Sequence, residues 1–279
     1  MNNGLLVVNK PKGMTSRDVV NKVCRKFNTK SVGHIGTLDP LAEGVLVCLI
    51  GKYTKLANIL TNHDKEYIAS FKLGILTDTL DITGNVLKEG KKDFSKDEII
   101  NALNHFKGTY NQEVPIYSAV KVNGKKLYEY ARNNIDVKLP SKMVNIYDIE
   151  LIDINDDIIT IKCKVSKGTY IRSLIRDIGA FLDTYATMTS LVRTTLGNFN
   201  IDDAYTLEDI ENNNYKLLKL NDFLDVVTKK IDNEEDYRHI KNGNVMNIKS
   251  NKYILFTYED ENIALYEPFD NKIKPLIMF

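Results

Sequence analysis

The apolar positions of this chain fall into two periods. Leu5–Val8 is a continuous apolar run ending at Asn9-Lys10-Pro11-Lys12-Gly13, which predicts a strand and then a turn. Val19, Val20, Val23, Cys24 and Phe27 share one helical face. Thr15 with Asp18 forms a capping box ahead of them, so a helix is predicted to run to about Phe27. Val45–Ile50, closed by Gly51, reads as a buried strand. From Glu66 to Gly74, apolar Tyr67, Ala69, Phe71 and Leu73 alternate with Ile68, Ser70 and Lys72, the period of a half-buried strand. Ser95 with Glu98 opens a helix through Ile99, Ile100, Leu103 and Phe106, stopped by Gly108. Ile146–Ile154 and Ile158–Val165 flank Asn155-Asp156-Asp157 as a hairpin. Beyond Ser166-Lys167-Gly168, the apolar set Leu174, Ile175, Ile178, Phe181 and Leu182 returns to the helical period.

Strands and helices without regular βαβ alternation predict an α+β fold. Past Thr228–Asn233 the pattern changes. Val245–Ile248, Tyr253–Tyr258, Ile263–Glu267 and Pro275–Phe279 read as short strands between polar turns. The expected organisation is a main domain over 1–228 and a small all-β module over 229–279, docked on it rather than free-standing.

At 279 residues, 43% apolar and 27% charged, the chain can bury a core without disulfide or metal staples. A net charge of +1 argues against a polyanion partner until it is partitioned. Residues 1–60 hold 9 Lys+Arg against 3 Asp+Glu, whereas residues 201–279 hold 10 against 16. That asymmetry places a candidate anion-binding surface at the N-terminal end. Cys24, Cys48 and Cys163 are scattered among apolar neighbours, which supports neither a disulfide framework nor a zinc site. No basic segment followed by an apolar stretch opens the chain, and Val45–Ile50, its longest apolar run, is too short for a bilayer. A cytoplasmic protein without a membrane segment is expected.

The densest chemistry lies in Gly33–Gly44, which reads as a glycine-rich loop, with three glycines, His34, Asp39 before Pro40, and Glu43. The spacing fits no nucleotide-binding loop. Taken by itself, Asp39 reads as an Asx-turn or helix N-cap residue ahead of a functional carboxylate. Pairing it with Glu43 would suit a glycosidase, but the chain has no Trp to stack on a sugar. His34 suits a base or a phosphate contact. Arg172 falls in the first turn of a predicted helix, where the macrodipole disfavours a cation, so it calls for a nearby anion.

Several motifs then agree. Gly36-Thr37-Leu38-Asp39-Pro40-Leu41-Ala42-Glu43-Gly44 resembles the catalytic motif of the TruB family of tRNA pseudouridine synthases. Asn9-Lys10-Pro11-Lys12-Gly13-Met14-Thr15-Ser16 resembles its N-terminal element, and Lys65-Glu66-Tyr67 its K-x-Y motif. Pro115-Ile116-Tyr117-Ser118-Ala119-Val120-Lys121 and Ser166-Lys167-Gly168-Thr169-Tyr170-Ile171-Arg172-Ser173 resemble two more. These elements stand in family order over about residues 5–195.

The resemblance implies a mixed, largely antiparallel sheet flanked by helices, with residues 229–279 as a reduced PUA-like RNA-binding module. It implies isomerisation of uridine 55 in the tRNA T-loop, after flipping the nucleotide out, with no cofactor and no metal. Asp39 is similar to the catalytic aspartate, Tyr67 to the tyrosine that stacks on the base and is proposed to act in proton removal. Tyr170 and Arg172 resemble the residues that surround that aspartate. Leu191 resembles the pocket leucine, and His34 the histidine that fills the place vacated by the flipped base. Lys10, Lys55 and Lys121 match positions that support the site or contact RNA. The implied partner is the T-arm stem-loop of tRNA, with no obligatory protein partner and a monomeric enzyme. Tyr53 departs from the family, which often has Ala there. Guide-RNA-dependent synthases of the archaeal and eukaryotic type share the core, but lean on partner proteins.

Overall fold

The runs Leu5–Val8 and Val45–Ile50 form adjacent strands buried on both faces, which is why they read as continuous rather than alternating. In the computed structural model, which describes residues 3–61 and 63–279, they are β1 (Gly4–Lys10) and β3 (Glu43–Ile50). With β2 (Val32–Ile35) and β4 (Lys65–Leu73) they begin the main sheet. The hairpin β5 (Ile75–Thr77) and β6 (Val86–Glu89) follows as a separate ribbon. After it come β7 (Gly108–Glu113), the small ribbon β8 (Lys121–Val122) and β9 (Lys125–Lys126), and the long strands β10 (Ser141–Asn155) and β11 (Ile158–Val165). β12 (Ala186–Leu196) and β13 (Phe199–Asn200) complete the sheet.

The order is β1-β3-β12-β4-β11-β10-β7, with β2 added on β3 and β13 on β12. Every pairing is antiparallel except β3 with β12. The α+β class and the mixed, largely antiparallel sheet are therefore as expected. Both capping boxes form, Thr15–Asp18 ahead of helix Ser16–Lys26 and Ser95–Glu98 ahead of helix Lys96–His105. One expectation changes: Gly33, His34 and Ile35 are not loop but β2, paired with Leu49, Cys48 and Val47 of β3 respectively. Pairing with a strand more than ten residues away gives no local signal.

The lone parallel junction depends on Gly44. It pairs with Lys10 on one side and Arg193 on the other, at φ +98°. A Cβ there would lie 2.2 Å from the Arg193 carbonyl oxygen. Gly44→Ala is therefore expected to cost more than ~3 kcal/mol of stability, because both backbone strain and a backbone clash must be relieved. Urea unfolding measures it; a loss below ~1 kcal/mol would show that the junction can relax.

The second sheet consists of β14 (Val226–Lys230), β15 (Tyr253–Tyr258), β16 (Glu261–Phe269) and β17 (Lys272–Met278) in that order. β14 straddles the boundary expected after Thr228. Over Val245–Ile248 the structure has a single bridge, Met246 to Ile273, where a strand was expected, and helix Glu234–Lys241 precedes it. One face of this sheet, with Leu255, Leu265 and Ile277, joins Leu49, Tyr53 and Leu56 in a shared core. The other face, with Ile254, Phe256 and Tyr266, packs with Ile240. Tyr53, the departure from the family, is at this seam. It is 1% exposed, its hydroxyl accepts the Leu220 N–H at 3.2 Å, and its ring meets Phe223 and Phe279 edge-on.

Candidate active site

The loop between β2 and β3 carries Asp39, and residues 10–16 hold that loop from below. The Gly13 N–H donates to the Pro40 carbonyl at 2.8 Å. Ser16 Oγ donates to the Leu38 carbonyl at 3.1 Å and accepts the Leu38 N–H at 2.9 Å. Lys10, expected to support the site or contact RNA, is placed to support it. Its side chain is fully buried, and its ammonium donates to the carbonyls of Pro11 at 2.9 Å and Met14 at 2.5 Å. Burial pulls its pKa down, with Glu43 and Asp39 pulling the other way. A lysine enclosed in this manner braces the loop and presents nothing to a phosphate.

On the upper side, Asp39 Oδ2 pairs with Arg172 Nη2 at 2.9 Å. The same guanidinium donates from Nη1 to the Thr79 carbonyl at 2.9 Å and from Nη2 to the Tyr117 carbonyl at 3.0 Å. A second carboxylate, Asp81, stands 3.9 Å from Nη1 and is itself held by Thr79 and Thr83. The fork thus joins three loops, with Arg172 only 6% exposed and Asp39 38% exposed. Arg172 indeed lies in the first turn of helix Ile171–Phe181, and Asp39 and Asp81 are the anions that its position called for.

Tyr170 is the N-cap of that helix and makes no side-chain cap. Gln112 of β7 does the holding instead: its Oε1 accepts the Tyr170 N–H at 2.8 Å and its Nε2 donates to the Tyr170 carbonyl at 3.1 Å. Ser173 Oγ adds a bond to the Glu113 carbonyl at 2.8 Å. The helix start that aims Arg172 is thereby fastened to the sheet.

Asp39, Tyr67, Tyr170, Arg172, Leu191 and Arg193 line one cavity of about 330 Å³. Tyr67 on β4 and Arg193 on β12 are direct cross-strand partners. Burial pushes the Tyr67 hydroxyl above the usual phenol range, and the Arg193 guanidinium beside it opposes that rise. Arg193 is fully buried, donating from Nε to the Val45 carbonyl at 2.7 Å and from Nη2 to the Gly36 carbonyl at 2.6 Å. It fixes the opposite end of the Asp39 loop. Burial likewise raises Tyr170, with Ser118 pulling it back.

Among the described residues the wall of this cavity does not include His34, Lys55 or Lys121. His34 sits on β2, half-buried, with Nδ1 lacking a partner, and burial with Arg17 and Arg193 disfavours its charged form. Lys55 and Lys121 are exposed outside the wall. Asp81, Gln112 and Arg193 were missed by sequence reasoning. Each lies more than 25 residues from its site partner in the chain, and only the fold unites them. Among the described residues no cluster of His, Cys, Asp and Glu is placed to hold a metal ion, and no helix is long and apolar enough to cross a membrane.

Residues 24–171 match the model of the TruB family pseudouridylate synthase N-terminal domain. Residues 172–237 match that of the tRNA pseudouridylate synthase B C-terminal domain. The tRNA pseudouridine synthase B of Fusobacterium nucleatum subsp. nucleatum is 44% identical, over 97% of both chains. That of Caldicellulosiruptor saccharolyticus is 44% identical, over 96% of this chain and 90% of its own. A chain in the crystal structure of a Cbf5-Nop10-Gar1 complex superposes with a TM-score of 0.67 at 26% identity, covering 95% of this chain and 78% of its own. The chain belongs to the TruB family of pseudouridylate synthases, isomerases that convert uridine to pseudouridine in tRNA.

Proposed function

We propose that this tRNA pseudouridine synthase acts on uridine 55 of the T-loop, flipped out of the RNA into the cavity, with Asp39 as the catalytic carboxylate. The observation that carries the reading is the Asp39–Arg172 pair at 2.9 Å on the wall of a cavity that also holds Tyr67. In the reaction the N1–C1′ bond breaks and a C5–C1′ bond forms; C5 loses its hydrogen and N1 gains a proton. A carboxylate suits this because it needs no metal and can hold the sugar or base in place. Arg172 pairs with Asp39 and aims it, while its two carbonyl bonds hold the guanidinium in place.

Enzymes that act on a base take it out of its stack. Tyr67 is the stacking surface and the group that takes part in removing the C5 proton; stacking of this kind contributes roughly 1–3 kcal/mol. Leu191 closes the apolar side. Tyr170 flanks the Asp39–Arg172 pair. His34, Lys55 and Lys121, outside the cavity, serve the RNA around it. The enzyme works on the T-arm stem-loop as a monomer, in the cytoplasm, without a protein partner or cofactor. Residues 229–279 act as a PUA-like module at the edge of the RNA.

Support for the tRNA substrate comes from the family and for the site from its geometry. The position is tested by incubating full-length unmodified tRNA with the enzyme, then mapping pseudouridine by carbodiimide modification and primer extension. A single stop reporting position 55 is expected. Modification at another position, with 55 untouched, would contradict the assignment.

A further inference from the structure

One ammonium at this site has no place in the scheme above. Lys65, the first residue of β4, is 9% exposed and lines the cavity. Among the described residues the only hydrogen bond of its ammonium is to the His63 carbonyl, at 2.5 Å. An ammonium has three donors, and burying one without a carboxylate is unfavourable.

Its neighbours deepen the problem. Lys167 lines the same cavity, and Arg193 lies across the sheet. The Lys142 ammonium rests 4.5 Å from the centre of the Tyr170 ring, against Gly168, where a Cβ would come within 2.7 Å of Nζ. Asp64 is the one acidic group acting on Lys65 in opposition. Lys65, Lys167 and Arg193 thus line the cavity, Lys142 lies against its Tyr170 and Gly168, and the carboxylates Asp39 and Asp81 are engaged by Arg172.

We propose that Lys65, with Lys142 and Lys167, forms the seat of a phosphodiester of the RNA backbone next to the nucleotide held in the cavity. The inference rests on the reading that a uridine enters this cavity. A base inside it is tethered through its ribose to two phosphates, and these must lie at the mouth. The lysines suit them, since a carboxylate such as Asp39 would repel a phosphate. A phosphate here supplies the Lys65 ammonium with an anionic partner. It fixes the ribose in depth and register, because phosphate contacts position a nucleic acid without reading its sequence.

The seat has a pH signature. Burial, Arg193, Lys167 and Lys142 together pull Lys65 down to about 8, against Asp64. An arriving phosphate favours the ammonium, so binding takes up a proton when the pH lies above that value. The contribution is complete below pH 8 and is lost as the pH rises past it.

The test is the Kd of the full-length protein for a T-arm stem-loop, measured at constant salt between pH 7 and 9. Wild type should weaken about tenfold across that range. Lys65→Arg keeps a permanent charge and should bind with less than twofold change, which separates the lysine from any titration of the RNA. Lys65→Met at pH 7 should bind about tenfold more weakly, with the slope of log K against log salt reduced by about 0.7–0.9, one phosphate contact. It should also become indifferent to a neutral methylphosphonate at the linkage flanking the target uridine. A wild-type Kd flat from pH 7 to 9, or a Lys65→Met protein that keeps the full salt slope, would overturn the seat. RNA isomerised without these signatures would remove the seat alone; RNA bound with them but never isomerised would remove the functional reading and leave the seat.

Discussion

Asp39→Asn will abolish isomerisation, by more than ~10⁴-fold, while tRNA binding stays within a few-fold of wild type. Asn keeps the shape of the side chain but carries no charge and cannot act as a nucleophile or base. The protein around it has little reason to change. Arg172 retains its bonds to the Thr79 and Tyr117 carbonyls and its neighbour Asp81, so its fork stays in place. The loop retains the Ser16–Leu38 and Gly13–Pro40 bonds. Loss of a charge next to RNA, if anything, favours binding. Nucleoside composition after digestion gives the product, and filter binding gives the Kd. A variant that binds poorly would mean that Asp39 holds the site's shape rather than doing its chemistry.

Arg172→Lys keeps the charge and should still lose about 10²–10³-fold in rate, with Kd nearly unchanged. The guanidinium serves Asp39 and two carbonyls on separate loops from a rigid plane, at 2.9, 2.9 and 3.0 Å. An ammonium is a point on a flexible stem and cannot span those three acceptors. At least one buried carbonyl would lose its donor, at a cost of about 1–3 kcal/mol, so a lower Tm should accompany the loss of rate. Single-turnover rates at saturating enzyme separate chemistry from binding. Near-wild-type turnover would show that charge alone suffices and that the geometry of the fork is incidental.

How much of this could be read from the residues depends on distance along the chain. Thr15–Asp18 and Ser95–Glu98 signal helix starts because each box closes within four residues. The alternation over β4 is equally local, and it correctly turns Tyr67 inward. Arg172 stood out because its own helix made it unfavourable. Helix Glu234–Lys241 also carried a local signal that was passed over: Asn233 caps it, Glu234, Glu235 and Asp236 open it, and Arg238, His239 and Lys241 close it.

Register and burial were the unreadable part. Nothing near Lys10 reveals that its ammonium turns in upon Pro11 and Met14 rather than out toward RNA. Asp81 sits in a stretch of Thr and Asp that reads as an ordinary turn, and only the fold brings it to Arg172. Arg193 required knowing that β12 runs parallel to β3 and opposite β4. The near-zero net charge was similarly opaque, since it averages a basic N-terminal segment, which holds Asp39, with an acidic C-terminal one.

The role proposed for Asp39 is to drive the exchange of N1 for C5 at the glycosidic bond of a T-loop uridine. The most direct measurement follows tritium released from a T-arm stem-loop labelled at uracil C5, because that carbon must lose its hydrogen to become the glycosidic atom. The wild-type enzyme should release one tritium per RNA and Asp39→Asn none. No release by the wild type, or release by Asp39→Asn, would contradict it.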